Sequence, residues 1–114
     1  MSVASEKYRG VIGFENYYEI SNLGNIRSLD RYVKYKNNKL RLLKSKNLKT
    51  HTNKKTGYVM VHLYKKGKQY NCLVHRLVAQ AFPEICGKWF ENCEIDHIDT
   101  NRKNNNVYNL KVDF

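Results

Sequence analysis

Between Arg31 and Tyr70 the chain carries 13 lysines or arginines and not one acidic side chain. A run of one sign this dense repels itself unless something anionic lies against it, so it belongs to a surface that meets a partner and not to a core. The imbalance extends through residues 1–70, with 16 basic and 4 acidic side chains, whereas residues 71–114 hold 5 and 6. The formal net charge of +11 therefore averages two electrostatic halves. Nucleic acid is the partner this favours, because each neutralised phosphate releases condensed counterions. A solvated lysine face and an anionic lipid surface are the other readings of charge alone. The lipid reading lacks the long amphipathic basic helix it requires.

At 114 residues the chain supports one domain with a modest core, and 41% hydrophobic residues argue against a disordered basic tail. No apolar run approaches the ~20 residues of a membrane span, and residues 1–10 lack a secretory apolar stretch. Three cysteines, Cys72, Cys86 and Cys93, make no disulfide framework. The expectation is a soluble, cytoplasmic protein associated with nucleic acid, without a membrane and without an obligatory protein partner.

The pattern along the chain is one of short strands and turns. Tyr17 to Ile20 and Ile26 to Leu29 flank the turn Ser21-Asn22-Leu23-Gly24-Asn25 and read as a hairpin. Tyr32 to Lys36 and Leu40 to Lys44 flank Asn37-Asn38-Lys39 as a second, and Lys44 to Lys55 reads as a basic loop that orders on a partner. After Gly57, Val59, Val61 and Leu63 face one side of a strand while Tyr58, Met60, His62 and Tyr64 face the other, with a turn at Lys65-Lys66-Gly67-Lys68 into Gln69 to Leu73. The period then changes: Val74, Leu77, Val78, Ala81 and Phe82 form a helical stripe ended by Pro83, with His75, Arg76 and Gln80 on the polar side. Glu94 to His97 and Val107 to Val112 read as strands around the polar loop from Asp99 to Asn106. The fold class is α+β: short antiparallel strands and hairpins with one short helix.

The sharpest chemistry is Asp96-His97. A carboxylate beside a histidine at a strand end pairs a hard oxygen ligand with a titratable base, which suits metal-assisted attack of water on a phosphodiester. Asn109 follows twelve residues after His97, beyond a loop rich in Asn and Thr. Two blocks here resemble a known family. Val74-His75-Arg76-Leu77-Val78-Ala79-Gln80-Ala81-Phe82, Glu94 to Asp99, Asn104-Asn105 and Val107-Tyr108-Asn109-Leu110 look like the core of HNH homing endonucleases of phages and bacteria, a ββα-metal motif preceded by a helix. Ile12 to Arg31 looks like the NUMOD4 DNA-binding motif often placed before that core.

The resemblance implies a basic, β-rich DNA-binding region at 1–70, its NUMOD4-like part at about 8–31, followed by an HNH core at 71–114. It implies that His97 is the general base and that Asp96 is a ligand of one divalent ion, Mg2+ or Mn2+. Asn109 would hold the loop and orient His97 through hydrogen bonds, and Arg76 would face the phosphate backbone. With the basic run, Arg27, Arg31, Lys34, Lys36, Arg41, Lys44, Lys46, Lys54 and Lys55 become the DNA contacts. In the family a final helix completes the metal site; this chain ends four residues after Leu110, so the ββα unit is expected to lack its helix and its two strands to lack apolar cover. The implied activity is hydrolysis of phosphodiester bonds in double-stranded DNA. The other reading is an impaired relative that only binds DNA, and a third is a basic protein binding RNA or anionic surfaces without preference. A structural zinc on Cys86, Cys93 and His97 is disfavoured by the want of a Cys-x-x-Cys pair and a fourth ligand. The resemblance would also turn His75 towards the phosphate backbone beside Arg76; the favoured reading of His75 is a solvated or helix-capping histidine.

Overall fold

A computed structural model describes residues 5–113. The described residues form four small antiparallel sheets, three of which pack against one eight-residue helix. β1 (Tyr8–Gly10), β2 (Tyr18–Ser21) and β3 (Ile26–Ser28) form the first sheet, and β4 (Arg31–Tyr35) pairs only with β5 (Lys39–Leu43). β6 (His51–Thr52), β7 (Val59–Lys65) and β8 (Lys68–Leu73) form the third. The chain then enters α1 (Val74–Ala81) and α2 (Pro83–Cys86), and ends in the ribbon of β9 (Glu94–His97) with β10 (Leu110–Asp113).

The α1 stripe does what its period requires. Val74, Leu77, Val78 and Ala81 are buried, and the helix packs against β2, β7, β8, β9 and β10. The core it organises draws from both electrostatic halves: Val11, Tyr18, Ile20 and Ile26 join Val61, Leu63, Val78, Phe82 and Val107. Ile95, Leu110 and Val112 are also buried in it, so β9 and β10 have apolar cover from α1 and α2, contrary to expectation. Pro83 ends α1 and also opens a second helix, since a proline without its N–H is at home in a first turn. Arg9 ties this joint to β1, its Nη1 donating to Ala81 O at 2.8 Å and to Glu84 at 2.7 Å, with the guanidinium 4.3 Å from the Phe82 ring centre.

Three further differences from the sequence reading have local causes. The stretch from Lys44 to Lys55 is held by the open edge of β3: Ser28 N–H donates to Lys46 O and Leu48 N–H to Ile26 O, both at 2.9 Å, before β6 pairs with β7. Unpaired backbone groups on a sheet edge recruit whatever chain passes. Val107–Asn109 is a 3-10 turn and not part of the last strand, because Asn106 Oδ1 accepts from Tyr108 N–H at 3.0 Å and caps it. β1 has too few residues to carry a period.

The β4–β5 ribbon stands apart from the core. Asn37 and Asn38 turn it with φ of 64° and 59°, the left-handed values a tight hairpin needs. Tyr32 is 69% exposed, and Tyr35, Leu40 and Leu42 are exposed as well. The radius of gyration of 15.5 Å exceeds the about 13 Å of a compact chain this long, as a projecting ribbon requires.

Candidate active site

β9 alternates, so Ile95 and His97 turn into the protein while Glu94 and Asp96 face solvent. His97 is paired in register with Leu110, and Asp96 with Lys111. Tyr58, Ile95, Asp96, His97, Thr100 and Arg102 line an open cavity of about 220 Å³. The two residues of the Asp96-His97 pair therefore leave opposite faces of a strand and still border one cavity.

His97 is buried. Its Nε2 lies 2.9 Å from Asn105 Oδ1, and an amide oxygen only accepts, so Nε2 carries the proton and the basic lone pair is on Nδ1. The hydrogen bond to the His97 ring expected of Asn109 is made by Asn105. Asn109 clasps the loop, its Oδ1 accepting from Asp99 N–H at 2.9 Å and its Nδ2 donating to Asp99 Oδ1 at 2.8 Å and Asn104 O at 2.9 Å. Asp99, which also accepts from Asn104 and from Asn101 N–H, is held ionised below its usual carboxylate range by those donors, Asn104 first.

Three residues that the sequence reading left out of the site meet at His97. The Tyr58 ring stacks on His75 at 4.8 Å between centres and lies 6.1 Å from His97, and His75 is 5.0 Å from His97. Arg102 covers the Tyr58 ring at 4.5 Å and donates to Thr56 O. His75 is therefore neither solvated nor a cap. It is 4% exposed, its Nδ1 has no hydrogen-bond partner, and burial first, with the neighbouring His97 and the positive charges of Arg76 and Arg102 adding to it, pushes it down to about 4. The stripe in α1 marks its apolar side, but only the distant Tyr58 and His97 make the adjoining position an interior one.

Among the described residues no three His, Cys, Asp or Glu side chains cluster as a metal site. The donor at the cavity is the exposed Asp96 carboxylate, which fits a hard cation that keeps water and phosphate oxygens as its other ligands. Cys86 and Cys93 are buried in the core, and the Cys86 thiol, 3.4 Å from Val107 O, is pushed up to about 11 by burial.

The basic residues divide. Arg27 is paired with Glu19 at 2.7 Å and lies 3.7 Å over the Tyr8 ring, and Arg76 donates to Cys93 O at 3.0 Å and stacks on Trp89 at 4.7 Å. Both guanidinium groups are thus held by partners within the protein, although the Arg27 side chain stays 41% exposed. Lys34, Lys36 and Arg41 are exposed on or beside the β4–β5 ribbon. Arg31, Lys44 and Lys46 line an open cavity of about 310 Å³ together with Tyr17, His62 and Tyr64. Lys54 and Lys55 are exposed in the turn that leads to Tyr58.

Residues 6–64 match the model of the NUMOD4 motif and residues 72–112 that of an HNH endonuclease family. DNA endonuclease I-HmuI of Bacillus phage SP01 is 32% identical over 105 residues, 92% of this chain and 51% of that protein. H-N-H endonuclease F-TflII of Escherichia phage T5 is 38% identical over 69 residues, 60% of this chain and 35% of that protein. A solved structure of DNA binding and cleavage by the HNH homing endonuclease I-HmuI superimposes with a TM-score of 0.72 at 33% identity, over 94% of this chain and 52% of that one. The chain spans about half or less of the length of the curated relatives it matches.

Proposed function

The chain belongs to the HNH endonuclease family that carries a NUMOD4 motif, and on that premise we propose that it hydrolyses phosphodiester bonds of double-stranded DNA with the help of a divalent metal ion, leaving a nick or a double-strand break. The observation that carries this reading is the state of His97: a buried imidazole with its Nε2 proton given to Asn105, beside an exposed carboxylate, at the wall of an open cavity.

Asp96 is the residue that would hold the ion, Mg2+ or Mn2+, because a single carboxylate with water and substrate oxygens is an ordinary site for a hard cation. Such an ion supplies Lewis-acid stabilisation of the charge on the leaving oxygen. The chain's own residues do the rest. His97 removes a proton from the attacking water at Nδ1, the nitrogen that Asn105 does not engage. Arg102 brings a positive charge to the cavity where a phosphate would lie. Asn109 keeps the loop between β9 and β10 closed, so that Asp99 and Asn104 do not swing into the cavity.

DNA is gripped by the β4–β5 ribbon and the basic cavity beside it, through Arg31, Lys34, Lys36, Arg41, Lys44, Lys46, Lys54 and Lys55. Wherever the cell keeps DNA, such a surface stays associated with it; no helix among the described residues is long and apolar enough to cross a membrane. The test is nicking of supercoiled plasmid in Mg2+ or Mn2+. The proposal expects conversion to open-circular or linear DNA that EDTA abolishes and Asp96→Ala reduces at least tenfold. Conversion that persists in EDTA refutes the metal, and DNA binding without conversion leaves only a binding module.

A further inference from the structure

The turn of the N-terminal motif reaches the base. Ser21 is fully buried, and its Oγ accepts from Leu23 N–H at 3.1 Å and Asn25 N–H at 3.0 Å, while its backbone accepts from Gly24 N–H at 3.1 Å. The next carbonyl, Asn22 O, accepts from Val107 N–H at 2.8 Å, which pins this turn to the 3-10 turn before β10. Gly24, at φ +90°, lies under Asn105: a β-carbon there would stand 3.0 Å from Asn105 Cβ and 3.1 Å from its carbonyl oxygen. Only a residue without a side chain lets the two backbones approach so closely, and the same φ suits glycine. Asn105, buried on this seat, accepts from His97 Nε2 at 2.9 Å.

We propose that Asn105 is the positioning residue of the catalytic base and that the Ser21–Asn25 turn of the N-terminal motif is the seat that holds it. The motif then has a second task besides meeting DNA: through Asn105 it fixes which nitrogen of His97 carries the proton and how the ring is turned. The inference rests on the reading of His97 as the base, but the contact chain from Gly24 through Asn105 to His97 is independent of it. A neutral imidazole has two tautomers, and the partner of one nitrogen decides which prevails. Without Asn105 the ring rotates and both forms are populated, so the basic lone pair is on the wrong nitrogen for part of the time.

The experiment reads the His97 tautomer by long-range 15N–1H correlation NMR in the metal-free protein at pH 8, alongside plasmid nicking and a thermal melt. The expected wild-type form is Nε2–H. Asn105→Ala is expected to give a mixture and a nicking kcat about 10- to 100-fold lower with KM for plasmid unchanged. Asn105→Asp, which keeps an acceptor oxygen in place, restores Nε2–H and most of the rate. Gly24→Ala shifts the tautomer towards the mixture with Asn105 still present. If Gly24→Ala does not fold, Ser21→Ala replaces it, loosening the turn without added bulk and moving the tautomer in the same direction. A His97 that stays Nε2–H in Asn105→Ala overturns the role of Asn105, and a folded turn variant with the wild-type tautomer and rate overturns the seat. Nicking in no variant, wild type included, refutes the nuclease reading, and the tautomers still decide the contact chain.

Discussion

Replacing Asn109 by alanine tests the loop clasp directly. The side chain makes three hydrogen bonds, to Asp99 N–H, Asn104 O and the Asp99 carboxylate. Solvent replaces the bond to the exposed carboxylate, so that one is left out of the sum. The two bonds to backbone groups of the loop are partly buried, and each lost bond costs about 1 kcal/mol net, more where water cannot reach the abandoned group. Asn109→Ala is therefore expected to lose about 2–3 kcal/mol, a large part of the about 5–15 kcal/mol that holds an ordinary domain together. Urea denaturation followed by the fluorescence of Trp89, the single tryptophan, measures it at constant m. Asn109→Asp sharpens the test. It keeps the acceptor for Asp99 N–H but sets a carboxylate where Nδ2 now lies 2.8 Å from Asp99 Oδ1. Two carboxylates that close do not both ionise comfortably, so this variant should be at least as unstable at pH 7 and should recover as pH falls into the carboxylate range. A loss below about 1 kcal/mol for alanine, or an aspartate tolerated at pH 7, would refute the clasp.

Other outcomes follow from the same geometry. His75 has a folded value of about 4 against an ordinary 6.5, so the unfolded chain binds the extra proton between those values. Stability is then full above pH 6.5 and falls by about 3 kcal/mol as pH drops to 4; thermal melts of His75→Gln should lose that slope, and a wild-type melting curve flat over the window would contradict the burial of a neutral ring. Phe82 is among the largest fully buried side chains, and Phe82→Ala is expected to cost about 3–5 kcal/mol in the same urea assay. For DNA binding, a double Lys34→Ala, Lys36→Ala variant should reduce the log–log salt slope by about 2, whereas Arg27→Ala, whose charge is paired with Glu19, should leave it nearly unchanged. Equal slopes for all three would remove the ribbon from the interface.

The regular parts of this molecule are written in local pattern. The stripe from Val74 to Phe82 and the alternation from Val59 to Leu63 name their buried faces because period alone decides them. The Asp96-His97 pair is equally plain. What the sequence hides is set by distant partners. Asn104, Asn105 and Asn106 are chemically identical neighbours, and only the 3-10 turn and the seat at Gly24 decide that Asn104 joins the clasp, Asn105 holds His97 and Asn106 caps the turn. His75 is interior because Tyr58, from β7's approach, and His97, from β9, close over it. Arg27 and Arg76 read as free cations until Glu19, Tyr8, Trp89 and Cys93 O are seen to receive them.

The proposed hydrolysis depends on a buried imidazole at the wall of the Asp96 cavity removing a proton from water at a phosphodiester. The decisive comparison is wild type against His97→Ala on supercoiled plasmid in Mg2+ or Mn2+, at protein concentrations that saturate DNA binding for both. Nicked or linear product is expected from the wild type, and from the variant a rate lower by about 100-fold or more at unchanged DNA affinity. Product formed equally fast by His97→Ala, or by neither protein while both bind DNA, would contradict it.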